Sequence, residues 1–493
     1  MMVFALRNRG ARLMILLALL IISHPIADAQ TAPPPSPRFG LVNAYAAPDA
    51  AAELGIGWEQ ITFDWRALQP RGPDEFLADA ISPVWLDAAQ RANREVVGLI
   101  VSTPAWASAS GERFAVPDGL DLPVTDPGNV WAQFVTRLVS YYAPRGVHRW
   151  IISDQPDILR GEGRVTFAGT VEDYAALVRS AYHAATAVDP HAQIHLAGMN
   201  GFVDAAAGRE PYLARLLRVL QNDGGSAYGY YFDVVMVRAF DSTQTIWDQV
   251  TQTRAILDAA DMSDKPRWLL TNASPTDDPL IPAASPLFGI TPDQQADFIV
   301  QAAAISFALG VERIAIDRLS DPPTPSHAPG VLGSAINWLI SSNNEPPAWG
   351  LIRADGSRRP AFDAYRTVIA LFAGTTAVEW HADSAADLIV LEQADRDIYV
   401  MWMPGARTGS FVVTSSRVDE TATFYDSYRA SGEMVSGAVE WPAAFTIAAP
   451  AARIDANGFL TVAGSPRLLV LDRSDFYRVV YLDISPYERA RLR

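Results

Sequence analysis

The sequence predicts an α/β protein, a (β/α)8 barrel over residues 39–370 followed by a small C-terminal β-sandwich over 371–472. From residue 39 onward short apolar runs alternate with longer amphipathic stretches, the pattern of β/α units around a parallel sheet. The series lasts about 330 residues, which suits eight such units with insertions. After Arg366 the pattern shortens to alternating runs joined by Gly, Asp and Ser turns, as in an antiparallel sandwich.

Residues 1–29 read as a signal peptide. Arg7, Arg9 and Arg12 precede an apolar run at 13–22, and Ala27-Asp28-Ala29 offers the alternate small residues that a signal peptidase reads. That run is well short of the roughly 20 apolar residues a membrane span needs, so cleavage after Ala29 is expected, with no span left in the mature chain. The reading places the protein outside the cytoplasm, secreted or extracytoplasmic. The sequence contains no cysteine, which excludes a disulfide framework and leaves stability to core burial. Its net charge is -16, and nucleic acid and anionic lipid are poor partners for such a surface, whereas a neutral sugar polymer is indifferent to it. Residues 30–38, with Pro33, Pro34, Pro35 and Pro37, read as an extended linker, and the first folded residue falls near Phe39.

The strands follow in order. Residues 39–44 form the first candidate and 58–65, W-E-Q-I-T-F-D-W, the second; a helix at 83–93 leads to the third at 95–102. That strand runs into Thr103-Pro104-Ala105-Trp106, a loop that presents an indole at the barrel mouth, and an acidic, proline-bearing loop at 108–128 precedes a helix at 131–142. The fourth strand reads W-I-I-S-D-Q-P-D from Trp150 to Asp157: apolar residues hold it in the sheet, Asp154 and Gln155 lie where it emerges, and Pro156 stops further pairing. A helix spans 170–188, capped by Thr170 with Asp173 as its capping-box partner. Strands at 193–199, 232–237 and 267–271, a helix at 290–309 and a strand at 313–317 complete the barrel. Runs at 388–393, 398–403, 410–414, 423–425 and 468–471 supply the sandwich, and residues 473–493 are a tail whose alternating apolar residues suit one more strand.

The string W-I-I-S-D-Q-P-D resembles the strand-four signature of the clan A glycoside hydrolases, which ends tryptophan, asparagine, glutamate, proline; the glutamate is the acid/base. Those positions are Ser153, Asp154, Gln155 and Pro156 in this sequence. The stretch from Thr170 to Ile194 resembles the helix and strand that follow the acid/base in families 5 and 39, and W-G-L-I-R-A-D-G-S-R-R-P-A-F-D-A-Y-R, from Trp349 to Arg366, resembles the segment that closes such barrels. The resemblance implies a TIM barrel with a carbohydrate cleft at the carboxyl ends of its strands. On strand seven, R-W-L-L-T-N-A-S lays Asn272 on the nucleophile position, and no glutamate occurs between Pro211 and Val311. Gln60 stands where strand two commonly carries an arginine, and Arg238-Ala239-Phe240 stands where strand six often has histidine and tyrosine.

Both catalytic positions thus carry amides. A retaining glycosidase needs two carboxyl groups roughly 5–5.5 Å apart, and losing proton transfer alone costs a factor of about 10² to 10⁴. An amide can still hydrogen-bond sugar hydroxyls. Displaced acids for catalysis are Asp64, Asp154, Asp241 and Asp317, against the competing reading that such aspartates cap helices or pair with Arg66 and Arg318. Arg238 suits either an acidic sugar or a salt bridge. Trp58, Trp65, Trp106 and Trp349 fall at strand ends or just after them, with Trp106 and Trp349 expected in the cleft and core packing the rival role for Trp58. The expected sugar contacts are Trp106, Asp154, Gln155, Arg238, Phe240, Asn272 and Trp349. His191 and His195 are the one pair at HxxxH spacing and no HxxEH occurs, Ser153 lacks a G-x-S-x-G context and no glycine-rich phosphate loop is present, so no metal and no cofactor is expected. The leading reading is an exported glycoside hydrolase-like protein that binds an oligo- or polysaccharide without ordinary retaining hydrolysis. An active hydrolase using displaced carboxylates and a non-enzymatic surface scaffold are the alternatives.

Overall fold

The computed structural model describes residues 35–160, 165–199, 201–273, 275, 290–321, 349–382, 387–403, 409–415, 421–425, 436–440, 445–449, 453–454, 460–462, 464–472 and 478–483. Eight parallel strands close a barrel in chain order: β1 (Ser36–Val42), β2 (Ile56–Asp64), β3 (Glu95–Val101), β4 (Arg149–Ile152), β5 (Gln193–Met199), β6 (Val234–Arg238), β7 (Arg267–Thr271) and β8 (Arg313–Ile316). β8 returns to pair with β1. Two boundaries differ from the sequence pattern. β1 begins at Ser36, inside the stretch expected to be linker, because the register breaks between Ser36 and Gly40 and so accommodates Pro37, which lacks an N–H. β2 begins at Ile56 because the helix Pro48–Leu54 ends on Gly55, whose φ of 76° suits a residue without Cβ.

Side chains fill the barrel. Trp58 and Trp268 meet inside it with ring centroids 4.9 Å apart. Gly40 makes room for Trp58, since a Cβ there would lie 2.3 Å from the indole. At the end where the strands begin, Glu95 binds both Arg149 and Arg313, and the two guanidinium groups lie 5.0 and 4.2 Å from the Trp268 ring centroid. His195 is fully buried among them. Burial and the two arginines depress its pKa well below the usual value, so it is neutral. This end is a plug and the opposite end is the one left for a site.

The helix Val171–Thr186 carries the expected capping box: Thr170 Oγ1 accepts from Asp173 N at 3.1 Å and Asp173 Oδ2 accepts from Thr170 N at 2.8 Å. Its Tyr174 donates to Ile152 O and accepts from Ala197 N, tying the ends of β4 and β5 to one rigid element. Thr170→Ala is expected to lower unfolding free energy by about 1 kcal/mol, read from urea titration.

After the helix Pro360–Phe372 the chain becomes antiparallel. Among the described residues one sheet holds six strands, in the order Ser436–Glu440, Thr421–Tyr425, Arg467–Asp472, Arg396–Trp402, Asp387–Glu392, Ala377–Ala382. A second holds Phe445–Ala449, Gly409–Ser415 and Arg478–Asp483, so the expected tail does contribute a strand and the sandwich extends past residue 472. The first sheet packs on the barrel: Ile389, Leu391, Ile398, Val400, Trp402 and Leu468 share one core with the helices Pro292–Ala308 and Pro360–Phe372. Gln301 Nε2 donates to Gly464 O at 2.8 Å across that joint.

Candidate functional site

The carboxyl ends of the strands gather most of the residues singled out from the sequence. β4 stops at Ile152, and Ser153 and Gln155 turn the chain out of the barrel at φ of 64° and 36°. Thr166 fixes that turn by donating to the carbonyls of Asp154 and Gln155. Asp154 then reaches across to β6, where Arg238 Nη1 lies 3.2 Å from its Oδ1. Gln155 is half-buried, and its side-chain amide has no hydrogen-bond partner among the described residues. It is a free donor and acceptor at the strand ends.

Beyond Arg238 the chain turns at Asp241 (φ 68°), with Asp241 N donating to Asn272 O at 2.9 Å. Phe240 packs over the barrel interior and stacks on Trp349, centroids 5.2 Å apart and planes 21° from parallel. Trp349 is only 8% exposed, and its indole N–H is buried without a partner among the described residues. The two rings form an aromatic floor beside the Asp154–Arg238 pair.

Asn272, expected among the sugar contacts, is engaged inside the protein. It is fully buried, Nδ2 donates to Asp317 O and Trp349 O, each at 2.6 Å, and Oδ1 accepts from Ala273 N at 2.8 Å and Gln295 Nε2 at 3.1 Å. Every hydrogen-bonding position of this amide is used. Gln295 Nε2 also donates to Trp349 O at 3.1 Å, and Gly350 is held from the other side by Asp321 and Arg359. Asn272 is therefore a clamp that sets the backbone beneath the Trp349 ring. Gln295 was not recognisable as part of this arrangement; its only signal is a polar residue in a helix, Pro292–Ala308, buried on all sides.

The four aspartates proposed as displaced acids are all engaged. Asp64 caps the helix Trp65–Leu68 through Arg66 N at 2.9 Å and pairs with Arg113 at 3.1 Å, the structural role weighed against catalysis, though with a different arginine. Asp154 pairs with Arg238, Asp317 lies 4.0 Å from Arg318 Nε, and Asp241 and Asp317 have further partners. Arg113, in the long loop after β3, also donates to Ser102 and had no sequence signal.

Of the other indoles two lie in the core. Trp58 and Trp65 are fully buried, Trp65 stacked on Phe134 and bonded through Nε1 to Gln69. Trp106 is half-buried, edge-on to Trp65, with its N–H donated to Gln69 O at 2.7 Å. It sits on the β2 and β3 side, and among the described residues no ring contact or hydrogen bond ties it to the Phe240–Trp349 pair. Gln60 is buried on the strand face it shares with Trp58 and Thr62, and Thr62 at the end of that face is exposed. Among the described residues no three His, Cys, Asp or Glu side chains gather as a metal site.

A closed eight-stranded parallel barrel followed by a packed antiparallel sandwich is a fold that the chain shares with solved glycoside hydrolases. Among solved structures the chain is similar to a family 39 glycoside hydrolase from Bacteroides cellulosilyticus WH2, with a TM-score of 0.61, 15% identity and 88% of this chain aligned to 81% of that one. It is also similar to a glucosidase from Croceicoccus marinus (TM-score 0.54, 14% identity, 87% and 92%) and to a family 30 endoxylanase from Clostridium papyrosolvens C71 (0.52, 11%, 89% and 97%). At these identities the likeness is one of fold. No protein-family model and no curated protein sequence matches the chain.

Proposed function

We propose that the protein is an exported carbohydrate-binding barrel that does not carry out ordinary retaining hydrolysis. The observation that carries this is Asn272: the side chain that follows β7, where the clan places its nucleophile, is an amide consumed by two backbone carbonyls. Gln155, which follows β4 at the acid/base position, has no ionisable proton to give. Without two facing carboxyls the covalent route has neither its acid nor its nucleophile. What remains suits a neutral sugar. Phe240, backed by the buried Trp349 ring, can stack on the apolar face of a pyranose, and Gln155 and the Asp154–Arg238 pair offer donors and acceptors for its hydroxyls. Asp64 is engaged in a helix cap and an ion pair with Arg113, and Asp154 in an ion pair with Arg238, which disfavours these two as a displaced catalytic pair. Export rests on the amino-terminal signal pattern, and among the described residues no helix is long and apolar enough to cross a membrane.

The test combines a panel of activated aryl β-glycosides with native gels containing neutral polysaccharides. Neither the wild type nor Gln155→Glu should release the aryl group, whereas a polysaccharide should retard the wild type. Phe240→Ala should weaken the cleft's share of that retardation about tenfold, the scale of one aromatic stacking contact. Turnover of any glycoside by the wild type would overturn the reading and return attention to Asp154, Asp241 and Asp317.

A further inference from the structure

At the opposite end of the barrel from the cleft, four aromatic rings form a cluster that runs from the core, where Tyr231 is buried and Tyr182 packs, to the surface at Tyr228. Tyr182 and His183, near the end of the helix Val171–Thr186, meet Tyr228 and Tyr231 of the turn Gly225–Tyr231 that leads into β6. All six pairs of these rings are in contact, with centroids between 4.8 and 6.5 Å apart. Tyr231 is buried, and Tyr228 lies stacked on it, 19° from parallel at 5.5 Å, with His183 edge-on to Tyr228 at 4.8 Å. Tyr228 nevertheless remains 47% exposed. The cluster is thus a supported ring with one side left to solvent.

The backbone beneath it is costly. Gly229, Tyr230 and Tyr231 take three successive left-handed conformations, φ 59°, 64° and 65°, and only the first suits its residue type. The turn is pinned from below by Lys265 Nζ, which donates to Gly229 O at 2.8 Å and Phe232 O at 2.7 Å. Strained tyrosines held in place by a dedicated cation point to a surface that is used. A phenol ring fits the C–H face of a pyranose and carries a hydroxyl for its rim. Beside the cluster the Arg179–Asp223 ion pair supplies further polar partners while balancing its own charge. With a net charge of -16 on the chain, an anionic polymer is repelled, so the ring is left for a neutral one.

We propose that the Tyr182–His183–Tyr228–Tyr231 cluster is a second carbohydrate site, a platform that holds a neutral pyranose polysaccharide against the barrel surface away from the cleft. It stands independently of the cleft reading. Tyr228 makes the ligand contact, Tyr231 and His183 support its ring, and Lys265 is a positioning residue that sets the turn.

The experiment is native affinity electrophoresis of the full chain in gels containing hydroxyethyl cellulose, xyloglucan, arabinoxylan or galactomannan. The same preparations are checked by thermal unfolding. In the Phe240→Ala background, retardation by at least one polymer should persist, Tyr228→Ala should weaken it tenfold or more, and Tyr228→Phe should keep it within about twofold, because the ring rather than the hydroxyl makes the stacking contact. Every variant should still unfold cooperatively well above the temperature of the gels, since Tyr228 is 47% exposed and its loss leaves Tyr231 in the core. If Phe240→Ala alone abolishes all retardation, the platform is overturned and the cleft reading stands. If Phe240→Ala changes nothing while Tyr228→Ala removes binding, the platform stands and the cleft reading falls. A wild type that none of the four polymers retards, a Tyr228→Ala variant that migrates like its parent, or a Tyr228→Phe variant as weak as Tyr228→Ala each overturns the platform.

Discussion

Asn272→Asp is expected to destabilise the protein by about 3–5 kcal/mol, the range for leaving a buried charge without a compensating partner. The amide donates both of its N–H groups to the carbonyls of Asp317 and Trp349 at 2.6 Å, and a carboxylate oxygen in the same place would meet two carbonyl dipoles by their negative ends. Protonation would recover only one of the two donors. With the site fully buried, water cannot substitute. Asn272→Glu would add a methylene to a filled space, at a further cost of about 1–3 kcal/mol. Urea unfolding monitored by circular dichroism would show the loss as a lower midpoint. Gln155→Glu, at a half-exposed position with no side-chain partner, should stay within about 0.5 kcal/mol of the wild type. An Asn272→Asp variant as stable as its parent would mean that the amide does not clamp Trp349.

The contrast bears on whether the two positions can host a retaining pair of carboxyls. If both amides merely replaced carboxylates in an intact pocket, two substitutions would restore a retaining pair. Asn272 is instead enclosed by Gln295 from the helix Pro292–Ala308 and by the carbonyls of Asp317 and Trp349. Position 155 has room for a carboxylate and position 272 does not. Silence in a double glutamate variant would therefore reflect a misplaced second carboxyl and would say little about the binding cleft.

The barrel was legible because its signals are local. Each strand is a short apolar run, and the Thr170 and Asp173 box announces its helix within four residues. The sandwich strands at 388–393 and 398–403 were visible for the same reason and are found at Asp387–Glu392 and Arg396–Trp402. The site was legible only as far as the carboxyl ends of the strands, since Asp154, Gln155, Arg238, Phe240 and Asn272 do lie there. Where their side chains point is a tertiary matter. Arg113 reaches Asp64 from a loop 49 positions away, and Gln295 reaches Asn272 from 23 positions away. Indoles fare worst, because a tryptophan at a strand end is equally at home in the core: Trp65 and Trp106 pack on each other and spend their N–H groups on Gln69.

Asp387 is expected to make stability fall as pH rises from about 4 to about 6. It opens its strand opposite Trp402, near Trp380, at the joint where Trp380 meets Trp247 of a barrel helix. Burial pushes its pKa up to about 6 from an ordinary 3.8, even though Trp380 Nε1 donates to its Oδ1 at 3.2 Å. No cation contributes to the shift. A carboxyl whose folded pKa is raised binds its proton more tightly in the folded state. Its contribution is therefore complete below the unfolded pKa and is lost as pH climbs through the folded one. At about 1.4 kcal/mol per pH unit of separation, discounted for partial exposure, the loss is about 2 kcal/mol. Other acids titrate in the same range with the opposite sign: Arg149 and Arg313 hold Glu95 low against the effect of its burial, and Arg358 holds Glu53 low. The measurement is consequently a difference between the wild type and Asp387→Asn, whose amide oxygen can still accept from Trp380 and whose charge is absent at every pH. The two should match in urea unfolding near pH 4 and diverge above it, with Asp387→Asn the more stable by about 2 kcal/mol at pH 7. Parallel curves across that window would mean that the carboxyl is already ionised and solvated at the joint.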